Sequence, residues 1–188
     1  MNVADAEDGA LATRAAAGDT AAFGLLMRRH KEPLYRVIRR MTGDAEEAYD
    51  VLQESFVAMW RGIGRYDPAR PFEAWARSIA LNKVRDWARK RAVRRLVAAV
   101  IPGLERTAEL IRDPAPSPET QAADAQALAA VDSAIAELPM QLREPLVLTV
   151  FDGRSQAEAA ALLGISAKAV ETRVRRARQK LADVLPSG

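Results

Sequence analysis

The sequence predicts an all-α protein with two small helical domains joined by a flexible linker. Hydrophobic residues make up 49% of the 188-residue chain and aromatic residues only 5%, while alanine is abundant, which favours helix packing over a β-sandwich core. Apolar residues also recur at helical spacing along much of the chain. Residues typical of helix starts and glycines typical of helix ends separate these stretches.

Changes in composition predict the domain boundaries. The proline-rich spacer Asp113–Pro118 and the helix-breaking pair Pro102-Gly103 indicate a linker. We expect a disordered segment at 1–10, a first domain at 11–96, a linker at 97–130 and a second domain at 131–188.

The first domain begins with helix-forming sequence from Leu11. Gly18-Asp19-Thr20 predicts a turn and a helix cap, and Pro33 predicts a break or kink in the helix that follows. Its apolar positions at helical spacing are Phe23, Leu26, Met27, Leu34, Val37, Ile38 and Met41.

A helix from about Ala45 to Arg61 has two contrasting faces. One is an apolar stripe of Tyr49, Leu52, Phe56, Met59 and Trp60. The other carries Asp50, Gln53, Glu54 and Arg61 around Val57. An acid–amide–acid group around an exposed aliphatic side chain indicates a protein contact surface, although a merely solvated helix face has the same composition.

The loop 62–71 and the helix predicted from about Phe72 to Leu96 suit a nucleic acid. The loop contains arginines that could bind phosphates and Tyr66, which could stack on a base. In the helix, one broad polar face contains Arg77, Ser78, Asn82, Arg85 and Arg89. We expect Trp75 to pack in the core.

The second domain follows a helix predicted from near Glu119 to Glu137. It begins at Leu138-Pro139, and a turn is expected at Asp152-Gly153. The expected buried positions are Leu142, Leu146, Val147 and Val150. Because a proline inside a helix removes a hydrogen bond, Pro145 predicts a late helix start or a kink.

The C-terminal stretch predicts a helix-turn-helix. Ser155 with Glu158 fits a capping box, Gly164 a helix stop and Ser166 a second N-cap. On the last helix, one stripe contains Val170, Val174, Ala177, Leu181, Val184 and Leu185. The opposite face carries Glu171, Thr172, Arg175, Arg176 and Gln179, flanked by Arg173 and Lys180. This layout favours DNA binding, and a solvated basic helix is the alternative.

Charge and composition narrow the classes of function. The net charge of +3 conceals two basic segments, at 85–95 and 168–180, with an acidic strip at 113–141 between them, which suggests two contacts with a polyanion. The chain has no cysteine, and we interpret its single histidine, His30, as a surface residue, so we expect no metal site and no cofactor. We find no nucleophile–base pair or P-loop and expect no enzyme activity. Because no long apolar run or basic leader is present, we expect no membrane insertion and a cytoplasmic location.

Three blocks in this order resemble the extracytoplasmic-function (ECF) group of sigma-70 family sigma factors. Residues 44–61, DAEEAYDVLQESFVAMWR, look like the family's core-binding helix. Residues 71–92, PFEAWARSIALNKVRDWARKRA, look like its promoter-melting helix. Residues 138–181, LPMQLREPLVLTVFDGRSQAEAAALLGISAKAVETRVRRARQKL, look like its region 4 pattern.

The resemblance implies a function in transcription initiation in a stress- or envelope-type response. RNA polymerase core would be bound through its β′ clamp and β flap, with Asp50, Gln53, Glu54 and Val57 as the core-binding residues. The −10 element of promoter DNA would be bound by Tyr66, Arg77, Ser78, Asn82, Arg85 and Arg89. The −35 element would be bound by Lys168, Glu171, Thr172, Arg173, Arg175 and Arg176. The resemblance also implies an anti-sigma factor as a partner, and a free protein that is monomeric and compact or self-occluded.

Glu171 departs from the family pattern, because many members have a base or small polar residue there. An acid cannot neutralise a phosphate but can accept a hydrogen bond from cytosine N4. Two other functions stay open from the sequence: a dimeric helix-turn-helix regulator that binds duplex DNA without polymerase, and a sigma mimic that titrates an anti-sigma factor.

Overall fold

The computed structural model describes residues 3–100 and 130–184. The helices are α1 (Val3–Ala16), α2 (Thr20–Thr42), α3 (Ala45–Gly62), α4 (Phe72–Val100), α5 (130–137), α6 (Met140–Leu146), α7 (Gln156–Leu163) and α8 (Ala167–Val184). A short 3-10 turn, Ile63–Arg65, follows α3, and a π-helical segment, Val147–Phe151, follows α6. Within these ranges all regular structure is helical, which confirms the predicted fold class.

The first bundle packs α1 to α4 around one apolar core. Its buried side chains include Leu26, Ile38, Met59, Phe72 and Leu81, and each is at most 2% exposed. Helix α3 starts where the sequence predicts, because the Asp44 carboxylate accepts a hydrogen bond from the Glu47 amide at 2.8 Å.

Several expectations for this bundle are wrong. Residues 3–10 belong to α1, whereas the sequence predicted disorder for 1–10. Helix α2 continues through Pro33, so the break that was one of the two expectations there does not occur. His30 is buried and not on the surface. Helix α4 extends four residues beyond the predicted end at Leu96.

The second bundle consists of α6, α7 and α8. Its caps agree with the prediction: Ser155 and Glu158 form a capping box, Gly164 ends α7 with φ of 67°, and the Ser166 hydroxyl accepts from the Ala169 amide at 3.1 Å. Helix α6 packs on α8. The buried side chains Leu142, Leu146, Val147 and Leu148 of α6 and its extension belong to the same apolar cluster as Val170 and Ala177 of α8. Val150 is exposed, so the prediction that it is buried is wrong. Val184, at the end of the apolar stripe, is exposed as well.

The distortion expected at Pro145 takes the form of a change in helix type. Helix α6 starts at Met140 and contains Pro145, and the π-helical segment begins two residues later. The Asp152 amide donates to the Val147 carbonyl at 3.0 Å, five residues back. Proline has no amide proton, so the α-helical hydrogen-bond pattern is interrupted here.

Residues 101–129, which make up most of the predicted linker at 97–130, lie outside the residues that the structure describes. So do the Pro102-Gly103 break, the Asp113–Pro118 spacer and the helix start near Glu119. Leu185, expected on the apolar stripe of the last helix, is outside them as well.

Candidate functional site

The polar face predicted on α3 is exposed. Val51, Leu52 and Phe56 anchor the opposite side of the helix in the core. The residues Asp50, Gln53, Glu54 and Val57, here called the α3 face, are therefore directed outward, and Val57 is 49% exposed. Two cations of α4 approach Glu54, Lys83 at 3.6 Å and Lys90 at 3.9 Å, at distances typical of weak exposed ion pairs. The carboxylates and the aliphatic side chain remain available to a partner.

The predicted DNA-binding residues of α4, unlike the residues of the α3 face, are not all exposed. Arg77, Ser78, Asn82, Arg85 and Arg89 are here called the α4 face. The side chain of Arg77 is only 4% exposed and is surrounded by acids. It donates from Nε and Nη2 to the two carboxylate oxygens of Asp152 in the second bundle, both at 2.7 Å, and Nη1 lies 2.5 Å from Glu73. Arg77 is thus inaccessible to DNA in this conformation, and the expectation of an exposed contact residue is corrected.

Arg85 is bound by the second bundle in the same way. Its Nε and Nη2 donate to the Glu144 carboxylate at 2.5 and 3.1 Å, and the Glu144 side chain is 7% exposed. Arg85 also donates to the Asn82 side-chain oxygen at 3.2 Å. Asn82 and Arg89 remain exposed, while Ser78 donates to the Trp75 carbonyl at 2.7 Å within its own helix. Two of the five residues of the α4 face are therefore paired across the two bundles.

Further contacts join the first bundle to the second bundle and to α5, the helix that precedes it. They and the pairs at Arg77 and Arg85 form what we call the interdomain seam. Arg154 lies 2.6 Å from Glu73, and Arg40 lies 2.8 Å from Asp132 and 4.0 Å from the centre of the Phe151 ring. Burial would raise the pKa of Glu73, but hydrogen bonds from Arg154 and Arg77 outweigh it and hold the pKa below its ordinary value.

Arg143 and Gly43 bring backbone segments together at the seam. The Arg143 guanidinium donates to the carbonyls of Met41, Ala136 and Leu138. Burial lowers its pKa to about 10, so the side chain is still a cation at neutral pH. A Cβ at Gly43 would lie 2.5 Å from the Ala136 Cβ, and φ is 79° there, so this close approach needs glycine.

Tyr66 is not placed as a free stacking surface. It is 8% exposed, and its ring lies 5.4 Å from the rings of Phe72 and Trp75. Its hydroxyl donates to the Arg70 carbonyl at 2.6 Å. The ring therefore holds the loop together here, and base stacking would require it to move. Trp75 packs against the core as predicted.

The basic face of α8 is exposed as the sequence predicts. The α8 face consists of Lys168, Glu171, Thr172, Arg173, Arg175 and Arg176. Arg175 and Arg176 are exposed, and Thr172 donates to the Lys168 carbonyl at 2.9 Å. A 2.9 Å hydrogen bond from Lys168 lowers the pKa of Glu171, which therefore stays ionised at neutral pH. The helix presents a cationic surface with one fixed negative charge.

Sequence reasoning missed Asp152, Glu144 and Arg154, which form the other half of the interdomain seam. In the sequence they lie near helix ends or between apolar residues. Charged residues at such places are usually explained by helix capping or by exposure to solvent. No pattern in the sequence singles these three residues out.

The fold and its surfaces define a class of protein. Two helical modules carry one surface suited to a protein partner and two suited to a polyanion. No helix in the described ranges is both long and apolar enough to cross a membrane.

Comparisons with known proteins identify the family. A family model described as Sigma-70 region 2 matches residues 26–94, and one described as Sigma-70, region 4 matches residues 128–181. The RNA polymerase sigma factor CnrH of Cupriavidus metallidurans is 44% identical over 187 residues, covering 98% of this chain and 97% of CnrH. The ECF RNA polymerase sigma factor SigM of Mycobacterium tuberculosis is 32% identical and covers 90% of this chain and 80% of SigM. The chain belongs to the sigma-70 family, in its ECF group of transcription initiation factors.

A solved structure agrees with this assignment. The structure of CnrH in complex with the cytosolic domain of CnrY matches with a TM-score of 0.67 and 38% identity. The match covers 94% of this chain and 96% of the CnrH chain.

Proposed function

We propose that this sigma factor binds RNA polymerase core through the α3 face and directs it to promoters with two DNA contacts. The α4 face and the loop 66–71 would engage the −10 element, and the α8 face would read the −35 element. The observation that carries the proposal is the exposed acid–amide–acid group around Val57 on the same chain as the basic helix-turn-helix. A DNA-binding regulator that acts without polymerase has no need of such an acidic contact surface.

The chemistry of each surface fits its proposed task. Arg175 and Arg176 on an exposed helix can donate to guanine O6 and N7 in the major groove, and ionised Glu171 can accept from cytosine N4. The basic and amide side chains of α4 can follow the backbone of a separated strand once they leave the interdomain seam. The division into two domains remains part of this proposal, with the first extended from 11–96 to include residues 3–10 of α1 and 97–100 of α4.

We also propose control by an anti-sigma factor. CnrH has been solved in a complex with the cytosolic domain of CnrY, and CnrH covers nearly the whole of this chain. An inhibitor that stabilised the interdomain seam would keep Arg77 and Arg85 away from DNA. A cytoplasmic location follows from the proposal, because polymerase and promoter DNA are there.

Reconstituted transcription tests the proposal. The purified chain is added to core polymerase from the same cells, and promoters are selected from a genomic fragment library by run-off transcription. Start sites that depend on the added chain and share two sequence elements support the proposal. A chain that binds duplex DNA tightly as a dimer and leaves core polymerase unchanged would support the regulator hypothesis instead.

A further inference from the structure

Helix α1 is the part of the first bundle that the family match leaves unassigned. The region 2 match begins at residue 26, whereas α1 spans Val3–Ala16. Leu11, Ala12 and Ala15 are buried in the core, so the helix is docked on the bundle. It also packs against α4 and against the 3-10 turn that leads into the loop 66–71.

A buried polar contact fixes α1 to α2. Asp8 is 6% exposed, and one of its oxygens lies 2.7 Å from His30 Nε2. The other accepts from Arg29 at 2.8 Å. A buried carboxylate needs such partners to offset its lost hydration, so these contacts determine where this turn of α1 lies.

From His30, ring contacts lead to the loop. The His30 ring lies 5.1 Å from the ring of Phe72, the first residue of α4. Phe72 contacts the Tyr66 ring, and the Tyr66 hydroxyl is bound to the Arg70 carbonyl at 2.6 Å. The carboxylate on α1 is thus linked through three rings to both ends of the loop.

A second contact is direct. A Cβ built on Gly9 would lie 3.7 Å from the Pro68 carbonyl oxygen, at the tip of the loop. This is ordinary van der Waals contact, so an alanine fits there. A larger side chain at Gly9 would press on the loop.

We propose that α1 positions the loop 66–71 for capture of the separated DNA strand, with Asp8 as a positioning residue. The inference rests on the proposed function, in which this loop engages the −10 element. It adds a role for a helix that contributes no residue to the α3, α4 or α8 face. Two separate contacts carry it: the Asp8–His30–Phe72–Tyr66 series, and the approach of Gly9 to Pro68.

Four variants separate positioning from folding. Asp8→Ala removes the carboxylate, and Asp8→Asn keeps its shape and a hydrogen bond to His30. Gly9→Leu presses on Pro68 while raising the helix propensity of α1 by roughly 1 kcal/mol, so it displaces the loop without weakening the helix itself. Gly9→Ala raises the propensity similarly without the displacement and serves as its matched control.

The assay measures promoter melting by holoenzyme containing each full-length variant. Permanganate reactivity of thymines in the −10 element is followed on a duplex promoter and on a template with that element already unpaired. Core affinity is measured in parallel. We expect Asp8→Ala and Gly9→Leu to melt the duplex about tenfold more slowly, since small displacements of positioned groups have effects of this order. Asp8→Asn should recover most of the rate, Gly9→Ala all of it, and the unpaired template should reduce the defect.

Two results would overturn the inference. One is wild-type melting by Gly9→Leu, and the other is a proportional loss of core affinity and activity on both templates in Asp8→Ala, which indicates a general loss of stability. A wild-type chain that directs no promoter-specific transcription would refute the proposed function itself and is recognised before any variant is tested.

Discussion

The α3 face and the α4 face lie on neighbouring helices of one bundle, but their surroundings differ. On α3, Asp50 and Glu54 are exposed, and the lysines 3.6 and 3.9 Å from Glu54 form only weak exposed ion pairs with it. On α4, Arg77 and Arg85 are held by carboxylates of the second bundle. Under the proposed function, those carboxylates compete with DNA phosphates for the two arginines, so this conformation leaves the proposed polymerase-binding surface open and withholds part of the proposed DNA-binding one. We therefore expect core binding to come before promoter contact.

The largest expected effect comes from opening the interdomain seam. Asp152→Ala combined with Glu144→Ala removes the partners of Arg77 and Arg85 in the second bundle, while Glu73 of α4 stays beside Arg77. Breaking a buried ion pair by removing one partner costs about 3–5 kcal/mol, and separation of the bundles, which returns both arginines to water, relieves that cost. We expect a larger radius of gyration by small-angle scattering and at least tenfold tighter binding of a single-stranded −10 oligonucleotide by fluorescence anisotropy.

Asp132→Ala is the matched control, because Asp132 also pairs across the seam with Arg40 but is 36% exposed. Exposed pairs contribute about 0–1 kcal/mol, so this variant should stay closed. If the Asp152 and Glu144 double variant kept the wild-type radius of gyration and DNA affinity, these ion pairs would not be what keeps the α4 face from DNA.

The next largest effect concerns the α3 face. Asp50→Ala combined with Glu54→Ala should weaken core binding by about 2–4 kcal/mol, since few residues contribute most of an interface's energy. DNA preference should not change. Glu32→Ala combined with Asp183→Ala removes the same charge from exposed positions elsewhere and should bind core normally. Equal affinity of both double variants in a competition assay would contradict the core-binding assignment.

A smaller effect is expected on α8. Arg176→Ala should weaken −35 binding by about 1–3 kcal/mol and relax base preference at one position. Arg178 is exposed at the edge of the buried stripe, so Arg178→Ala should change affinity little and preference not at all. Anisotropy with duplexes that carry single base changes distinguishes the two variants. Uniform weakening across all duplexes would indicate only a phosphate contact at Arg176.

The smallest effect is a response of the seam to acid. The pKa of Glu73 is lowered in the fold. The stabilisation that its carboxylate gives to the closed arrangement is therefore complete above the ordinary pKa of 4.5 and is lost as the pH falls through the lowered pKa. We expect the closed arrangement to be insensitive to pH near neutrality and to open in acid. Scattering at decreasing pH, with circular dichroism to monitor helix content, measures this. Glu73→Gln should shift the transition, and an identical curve would show that other carboxylates control opening.

Local signals explain how much of the fold was predictable. The caps at Asp44, Ser155 and Gly164 and the outward residues of α3 and α8 follow from short-range rules, and the structure agrees with them. A helical period shows which residues share a face but not what covers it. The burial of Arg77 by Asp152, 75 residues away in the chain, was therefore not predictable from sequence spacing.

The missed start of α1, residues 3–10, has a related explanation. The buried residues described there are Asp8 and Gly9, and neither of them marks an apolar face. Asp8 and His30 are polar, and polar residues are usually exposed, so their pairing across two helices gave no signal.

Pro145 has a consequence for the geometry of the whole molecule. A π-helical turn holds one residue more than an α-helical turn, so the residues that follow are rotated by about 100° around the axis. This phase shift helps to determine the direction in which Asp152 leaves the second bundle. A leucine at 145 would permit a regular helix and aim the same carboxylate elsewhere. The residue at position 145 would then affect how firmly the two bundles hold together. A substitution there could change this without altering any residue proposed to bind DNA or polymerase.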